Sequence, residues 1–240
     1  MDAVPVSPLE RQQLDVADPV AMTYWHRVRF ELVVRHVDAT GAQRVLDVGA
    51  GSGLFGEWLR QNRPDLGYGF TETSEVLRRG LIERFGPAAE AAADAQIDGG
   101  TVVALLDVLE HIEGDVAALS DLHRRMAPGS ELVVTVPAMQ WAFSPWDELL
   151  GHHRRYSRRT LREALARGGF AEASTTYLFP ELFPLLAARK LRTSPREQVD
   201  FPRLSPVSAA IGYRVASATA ATRRLWPFGT SVVATATRVR

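Results

Sequence analysis

The segment RVLDVGAGSG at 44–53 constrains this 240-residue chain more than any other stretch. A short apolar run ends in glycine, and Phe55, Trp58 and Leu59 then recur at helical spacing until Pro64. That is a strand, a glycine turn and a helix in succession. The alternation continues, with strands predicted near 67–71, 88–93, 101–106 and 131–136 and helices near 74–85 and 114–126. Alternating β and α elements predict a mostly parallel sheet with helices on both faces, a doubly wound α/β fold. Upstream, Val20, Tyr24, Val28 and Leu32 fall four apart and predict a helix over about 19–38.

After Pro137 an irregular, aromatic-rich stretch runs to about 156, and loops of that length inside a domain usually carry function. Ser157 can N-cap a helix bearing Leu161 and Leu165, which Gly168 and Gly169 can end. Residues 171–178 and 231–238 read as strands. Between them lie two apolar, partly helical segments, 180–192 and 205–225, separated by the polar TSPREQVD at 193–200. The chain reads as a single domain over 1–240, with an N-terminal cap region at 1–38. Residues 179–226 read as an inserted lid, substrate or interface segment before the last strand, with membrane-surface contact of 179–191 as the lesser alternative.

Composition removes several function classes. Lys plus Arg and Asp plus Glu are both 28, so no global positive field exists to attract nucleic acid. Without cysteine there is no disulfide, thiolate-bound zinc or thiol nucleophile. No apolar run approaches the ~18 residues of a membrane span and the first residues lack the apolar core of a signal peptide, so a cytoplasmic protein is expected.

Gly49, Gly51 and Gly53 between strand and helix predict a nucleotide-like ligand at the carboxyl ends of the strands. Gly51, Gly53 and Gly56 also satisfy the dinucleotide pattern GxGxxG, with Glu72 about twenty residues on. On the triplet alone, dehydrogenase and methyltransferase readings start level. The wider pattern separates them: VLDVGAGSG at 45–53, ADA at 93–95, DVLEHIEGD at 107–115 and PGSELVVTVP at 128–137. Together these resemble the class I S-adenosylmethionine (SAM)-dependent methyltransferases, in the branch close to the ubiquinone-biosynthesis enzymes. YWHRVRFELV and DELLGHHRRYSRRTLREALARGGF are similar to a bacterial subgroup of small methyltransferases. The resemblance implies a Rossmann-like seven-stranded sheet of order 3-2-1-4-5-7-6 with the last strand antiparallel, SAM as cofactor and a small-molecule acceptor, on a monomer or homodimer.

Carried over by motif, the cofactor-binding residues are Asp47, Gly49, Ala50, Gly51, Gly53, Glu72, Asp94, Ala95, Asp107 and His111. Asp47 would meet the cofactor's ammonium, and Asp94 and Ala95 the adenine. The ribose acid is assigned to Glu72, one residue beyond the ungapped match at Thr71, because a carboxylate accepts two hydroxyl protons and threonine accepts poorly. His152, in the subgroup's GHxRRY pattern, is the expected general base, since imidazole titrates near neutral pH. Tyr24, Trp25, Trp141, Trp146, His153 and Tyr156 are the expected substrate contacts. A metal on Asp107, Glu110 and His111 is set aside, because the downstream acidic partners of the metal-dependent catechol methyltransferases are not evident. Two rivals stay open: a nicotinamide-dependent oxidoreductase and a non-catalytic methyltransferase-like subunit.

Overall fold

A computed structural model describes residues 10, 13, 23–190 and 205–239. The start of the expected first helix near 19 and the polar piece at 193–200 lie outside the described residues. In chain order the elements are α1 (Tyr24–Thr40), β1 (Arg44–Val48), α2 (Leu54–Asn62), β2 (Gly67–Thr71), α3 (Glu75–Phe85), β3 (Thr101–Leu106), α4 (Asp115–Arg125), β4 (Glu131–Pro137), α5 (Pro145–Leu149), α6 (Arg158–Arg167), β5 (Ser174–Leu178), α7 (Phe183–Lys190), α8 (Pro206–Ala221) and β6 (Ser231–Thr237).

The strands form one sheet of order β2-β1-β3-β4-β6-β5. β2, β1, β3 and β4 are mutually parallel, and β6 runs antiparallel between β4 and β5. Deleting the third strand from the expected seven-stranded order and renumbering gives this order. The stretch expected as that strand, 88–93, instead makes a 3-10 turn at Pro87–Ala89 and one parallel bridge, Phe70 to Glu90. Its sequence, PAAEAAADA, offers alanine and a donorless proline where a strand needs β-branched or aromatic side chains.

Side-chain alternation splits the core across the sheet. In β3, Val102 and Ala104 face a cluster with Val33 and Val37 of α1, Leu59 of α2 and Ala216 of α8. Val103 and Leu105 face Leu119 and Leu122 of α4 and Leu161 and Leu165 of α6. Both faces being covered, β3 and β4 read as near-continuous apolar runs. Ser157 caps α6 as expected, its Oγ accepting from the Thr160 N–H. Gly168 is the C-cap of that helix, and a Cβ there would lie 2.5 Å from Leu119 Cβ. The glycine lets α6 close onto α4.

Candidate active site

At the carboxyl end of β1 the chain turns through Gly49 (φ 71°), Gly51 (φ 55°) and Gly53 (φ 75°), left-handed conformations that glycine enters without strain. Space is short as well, for a Cβ on Gly53 would lie 2.6 Å from Leu81 Cδ2. The Gly49 and Ala50 N–H groups donate to the Thr71 carbonyl at 2.9 and 3.1 Å. Glu72 clamps the same loop, its Oε2 accepting from the Gly51 N–H and its Oε1 from the Ser74 N–H, both at 2.8 Å. Gln13 comes over the loop from the N-terminal side, its Oε1 accepting from the Ser52 N–H at 3.0 Å. Beneath it Asp47 is buried, with the Tyr68 hydroxyl donating to its Oδ2 at 3.1 Å. Burial pushes the Asp47 carboxyl up to about 7, against a smaller lowering by that hydrogen bond.

The cleft above this loop is lined further by Trp25, His26 and Arg29 of α1, by Asp107, Glu110 and His111 after β3, and by Trp146 and His152. Asp107 has φ 56°, a strained value for a residue with a side chain. Its Oδ1 accepts from Thr135 Oγ1 at 3.1 Å and its Oδ2 pairs with the guanidinium of Arg29 at 3.2 Å. Arg29 is itself buried and also donates to Ser231 Oγ at 2.9 Å. Burial lowers both His26 and His111 to about 4, so these two rings line the cleft as neutral imidazoles.

His152 arrives on the long loop after β4, an excursion closed at its base. The Tyr156 N–H donates to the Pro137 carbonyl and the Met139 N–H to that of Tyr156, each at 2.9 Å. Within it Ser144 caps α5 through Asp147, and Gly151 (φ 74°) reverses the chain. Asp147 is fully buried and accepts from His152 Nδ1 at 2.9 Å, from Arg155 Nε at 2.7 Å and from the Ser144 N–H at 3.0 Å. Burial alone would raise its carboxyl, but the hydrogen bonds from His152 and Arg155 hold it below its usual value. The bond to Asp147 fixes the His152 ring with Nδ1 turned away, leaving Nε2 as its other nitrogen. The His153 N–H donates to the Glu110 carbonyl at 2.8 Å, which brings His152 edge-to-face onto His111 at 4.6 Å between centroids.

Of the residues expected from the sequence, Asp47, Gly49, Ala50, Gly51, Asp107, His111, Trp25, Trp146 and His152 line this one cleft. Gly53 caps α2 behind the loop, and Glu72 braces the loop from β2. Others lie elsewhere. Asp94 is an exposed turn residue, and Ala95 lines a separate groove beside the starts of β1 and β3. With the expected third strand reduced to one bridge, the residues after it do not join the wall of the glycine cleft. Trp141 is exposed against Phe183, His153 is exposed, and Tyr24 packs edge-on to Trp25 and over Gly212. Tyr156 is a core residue and not a substrate contact: it is 2% exposed and its hydroxyl donates to Asp115 Oδ2 at 2.8 Å.

Sequence reasoning missed His26, Arg29 and Asp147 as parts of the site. Arg29 could have been flagged as a charge inside the apolar run VRFELVV, and Asp147 as the acid five residues before His152.

The family model described as "Methyltransferase domain" matches residues 24–174, more than half of the chain. The chain belongs to this family. Among curated proteins, the chain is similar to the demethylspheroidene O-methyltransferase of Rhodobacter capsulatus, 25% identical over 185 residues. That match covers 70% of the chain but 47% of the relative, so the chain spans about half the relative's length. Solved structures share the fold. A SAM-dependent methyltransferase from Archaeoglobus fulgidus matches with TM-score 0.52 and 18% identity, covering 87% of this chain and 94% of that one. A Haloferax volcanii complex between the Trm112 methyltransferase activator and a putative methyltransferase gives 0.60 and 15% identity, covering 99% and 100%. The oxidoreductase reading of the glycine triplet falls with the family match. Among the described residues, no helix is long and apolar enough to cross a membrane.

Proposed function

We propose that this methyltransferase moves the methyl group of SAM onto an oxygen of a small molecule held in the cleft between the glycine loop and His152. The carrying observation is that one cleft joins Asp47 and residues 49–52 to His111, Trp146 and His152. The donor set suits the cofactor: a buried carboxylate for an ammonium, beneath a glycine backbone that leaves room for close approach. Glu72 spends two of about four lone-pair sites on backbone N–H groups, so it retains acceptor capacity for ribose hydroxyls. Asp94 and Ala95 are kept for the adenine only if the segment 91–95 closes toward the loop when the cofactor binds. The O-methyltransferase relative supports oxygen as the acceptor atom.

When bound, SAM supplies an electrophilic methyl on a positively charged sulfur, and the protein's work is to align the attacking oxygen and exclude water. Trp25, Phe55, Trp146 and Leu150 supply apolar walls for that. His26 and His111, being neutral, add no charge that would repel the sulfonium. His152 activates the acceptor hydroxyl, with Asp147 holding the ring. The segment 179–226 serves as lid or interface, its ring cluster of Phe183 with Trp141 and Phe228 lying beside the loop that carries His152.

Calorimetric titration with S-adenosylhomocysteine and separately with NADH is the deciding experiment. Micromolar binding of the former only, abolished in Gly51→Val, is expected; absence of S-adenosylhomocysteine binding by folded wild type would sink the proposal. A non-catalytic binding subunit would bind in the same way, yet methylate none of a panel of phenols and enols at a rate that His152→Gln lowers.

A further inference from the structure

Glu110, His111 and His152 each offer one ligand atom to a common point, and these atoms all lie within 4.8 Å of one another. Glu110 is 1% exposed, and its Oε2 is buried with no hydrogen-bond partner. Nδ1 of His111 is likewise buried and unpartnered. A buried carboxyl oxygen left this way lacks the contact that buried polar groups nearly always have, which a structure tolerates when a ligand supplies it. The third residue is prepared differently. His152 gives Nδ1 to a carboxylate that Arg155 and Ser144 hold in place. Carboxylate behind imidazole is the outer arrangement that orients a metal-bound histidine and raises its basicity.

We propose that Glu110, His111 and His152 bind one divalent transition-metal ion at the acceptor end of the cleft. The inference rests on the function proposed above and states how His152 would activate the acceptor, as a ligand of the ion. Two imidazoles and one carboxylate favour zinc, manganese or iron(II) over magnesium, which takes oxygen ligands and retains water. Bonds of about 2.0–2.2 Å require ligand atoms about 3–3.5 Å apart, so modest side-chain rotations close the set. The sequence offered Asp107 beside Glu110 and His111, but in the fold the Asp107 carboxylate is taken up by Arg29 and Thr135. The missing ligand is instead a histidine forty-one positions on, brought over by the backbone bond from His153 to Glu110.

Three protein ligands leave positions open toward the cleft, where an acceptor hydroxyl can coordinate. Its O–H bond then breaks with the proton passing to solvent water, and the oxygen lone pair forms the new bond to the methyl carbon. The electron pair of the broken carbon–sulfur bond stays on sulfur. Nothing is oxidised or reduced, which suits a zinc-like ion.

The test uses the full chain, stripped with a chelator and dialysed, then titrated with Zn²⁺ and separately with Mn²⁺, with S-adenosylhomocysteine binding measured on the same samples. One ion per chain is expected. Affinity should fall at least tenfold in Glu110→Gln and in His152→Ala, and about 10–100-fold in Asp147→Asn, which touches no ion directly. Cobalt(II) loading should give visible absorption in wild type that His152→Ala removes, and circular dichroism verifies that each variant folds. S-adenosylhomocysteine binding without stoichiometric metal overturns this inference and leaves the proposed function standing. Metal binding lost in the variants but no S-adenosylhomocysteine binding supports the ion site and sinks the proposed function. Metal binding unchanged in folded variants overturns the site.

Discussion

Asp47 carries an electrostatic cost in the cleft. Its carboxyl titrates at about 7 in the folded chain against 3.8 ordinarily, because burial disfavours the ion. Between those values the unfolded chain has released this proton and the folded chain retains it, so stability falls as pH rises through that window. The loss is about 1.4 kcal/mol per pH unit, about 4 kcal/mol in all, and stops once the folded carboxyl ionises near pH 7. Asp47→Asn should therefore melt higher than wild type at pH 8, with the difference shrinking toward pH 5, as thermal scans of ligand-free protein would show. The same variant should bind S-adenosylhomocysteine more weakly by at least tenfold, since the ammonium loses its counter-charge. Gain in stability with loss of binding is the pattern of a residue kept for a ligand. Asp47 was legible in the sequence because motif and strand end coincide. Its cost was not, because burial by Tyr68 and the overlying loop is a property of packing.

At the scale of elements, the excursion between β4 and α6 decides what the site contains. Tyr156 closes its base, and the hydroxyl donates to Asp115, which also pairs with Arg154 at 3.0 Å. Tyr156→Phe should cost about 1 kcal/mol in urea unfolding and leave S-adenosylhomocysteine affinity within twofold. An acceptor-binding tyrosine would show the reverse, full stability with impaired turnover. The sequence flagged the loop by its length and its aromatic content, and both Trp146 and His152 do line the cleft. It could not separate them from Trp141 and Tyr156, because in irregular backbone no period links position to direction. In the sheet such a link exists, and the strands at 101–106 and 131–136 fell where their short apolar runs put them. The strand at 88–93 failed where its alanines gave a sheet nothing to pack.

For the whole molecule, the glycine loop is already held in its turn by Thr71, Glu72 and Gln13, so binding needs little ordering of the loop. S-adenosylhomocysteine at a hundred times its Kd should then add about 2.7 kcal/mol of stability, raising Tm by about 5–10 °C for a domain of this size. A rise under 2 °C at saturation would show that binding must first displace Gln13 or another ordered group. The sequence by itself determined the α/β winding, the glycine turn and the family, because these rest on local spacing and on motifs a few residues long. Only the tertiary structure decided that Glu110, His111 and His152 converge, that Asp147 stands behind His152, and that Asp94 does not reach the cleft. Such meetings are made by backbone bonds between distant loops, and no local pattern of side chains encodes them.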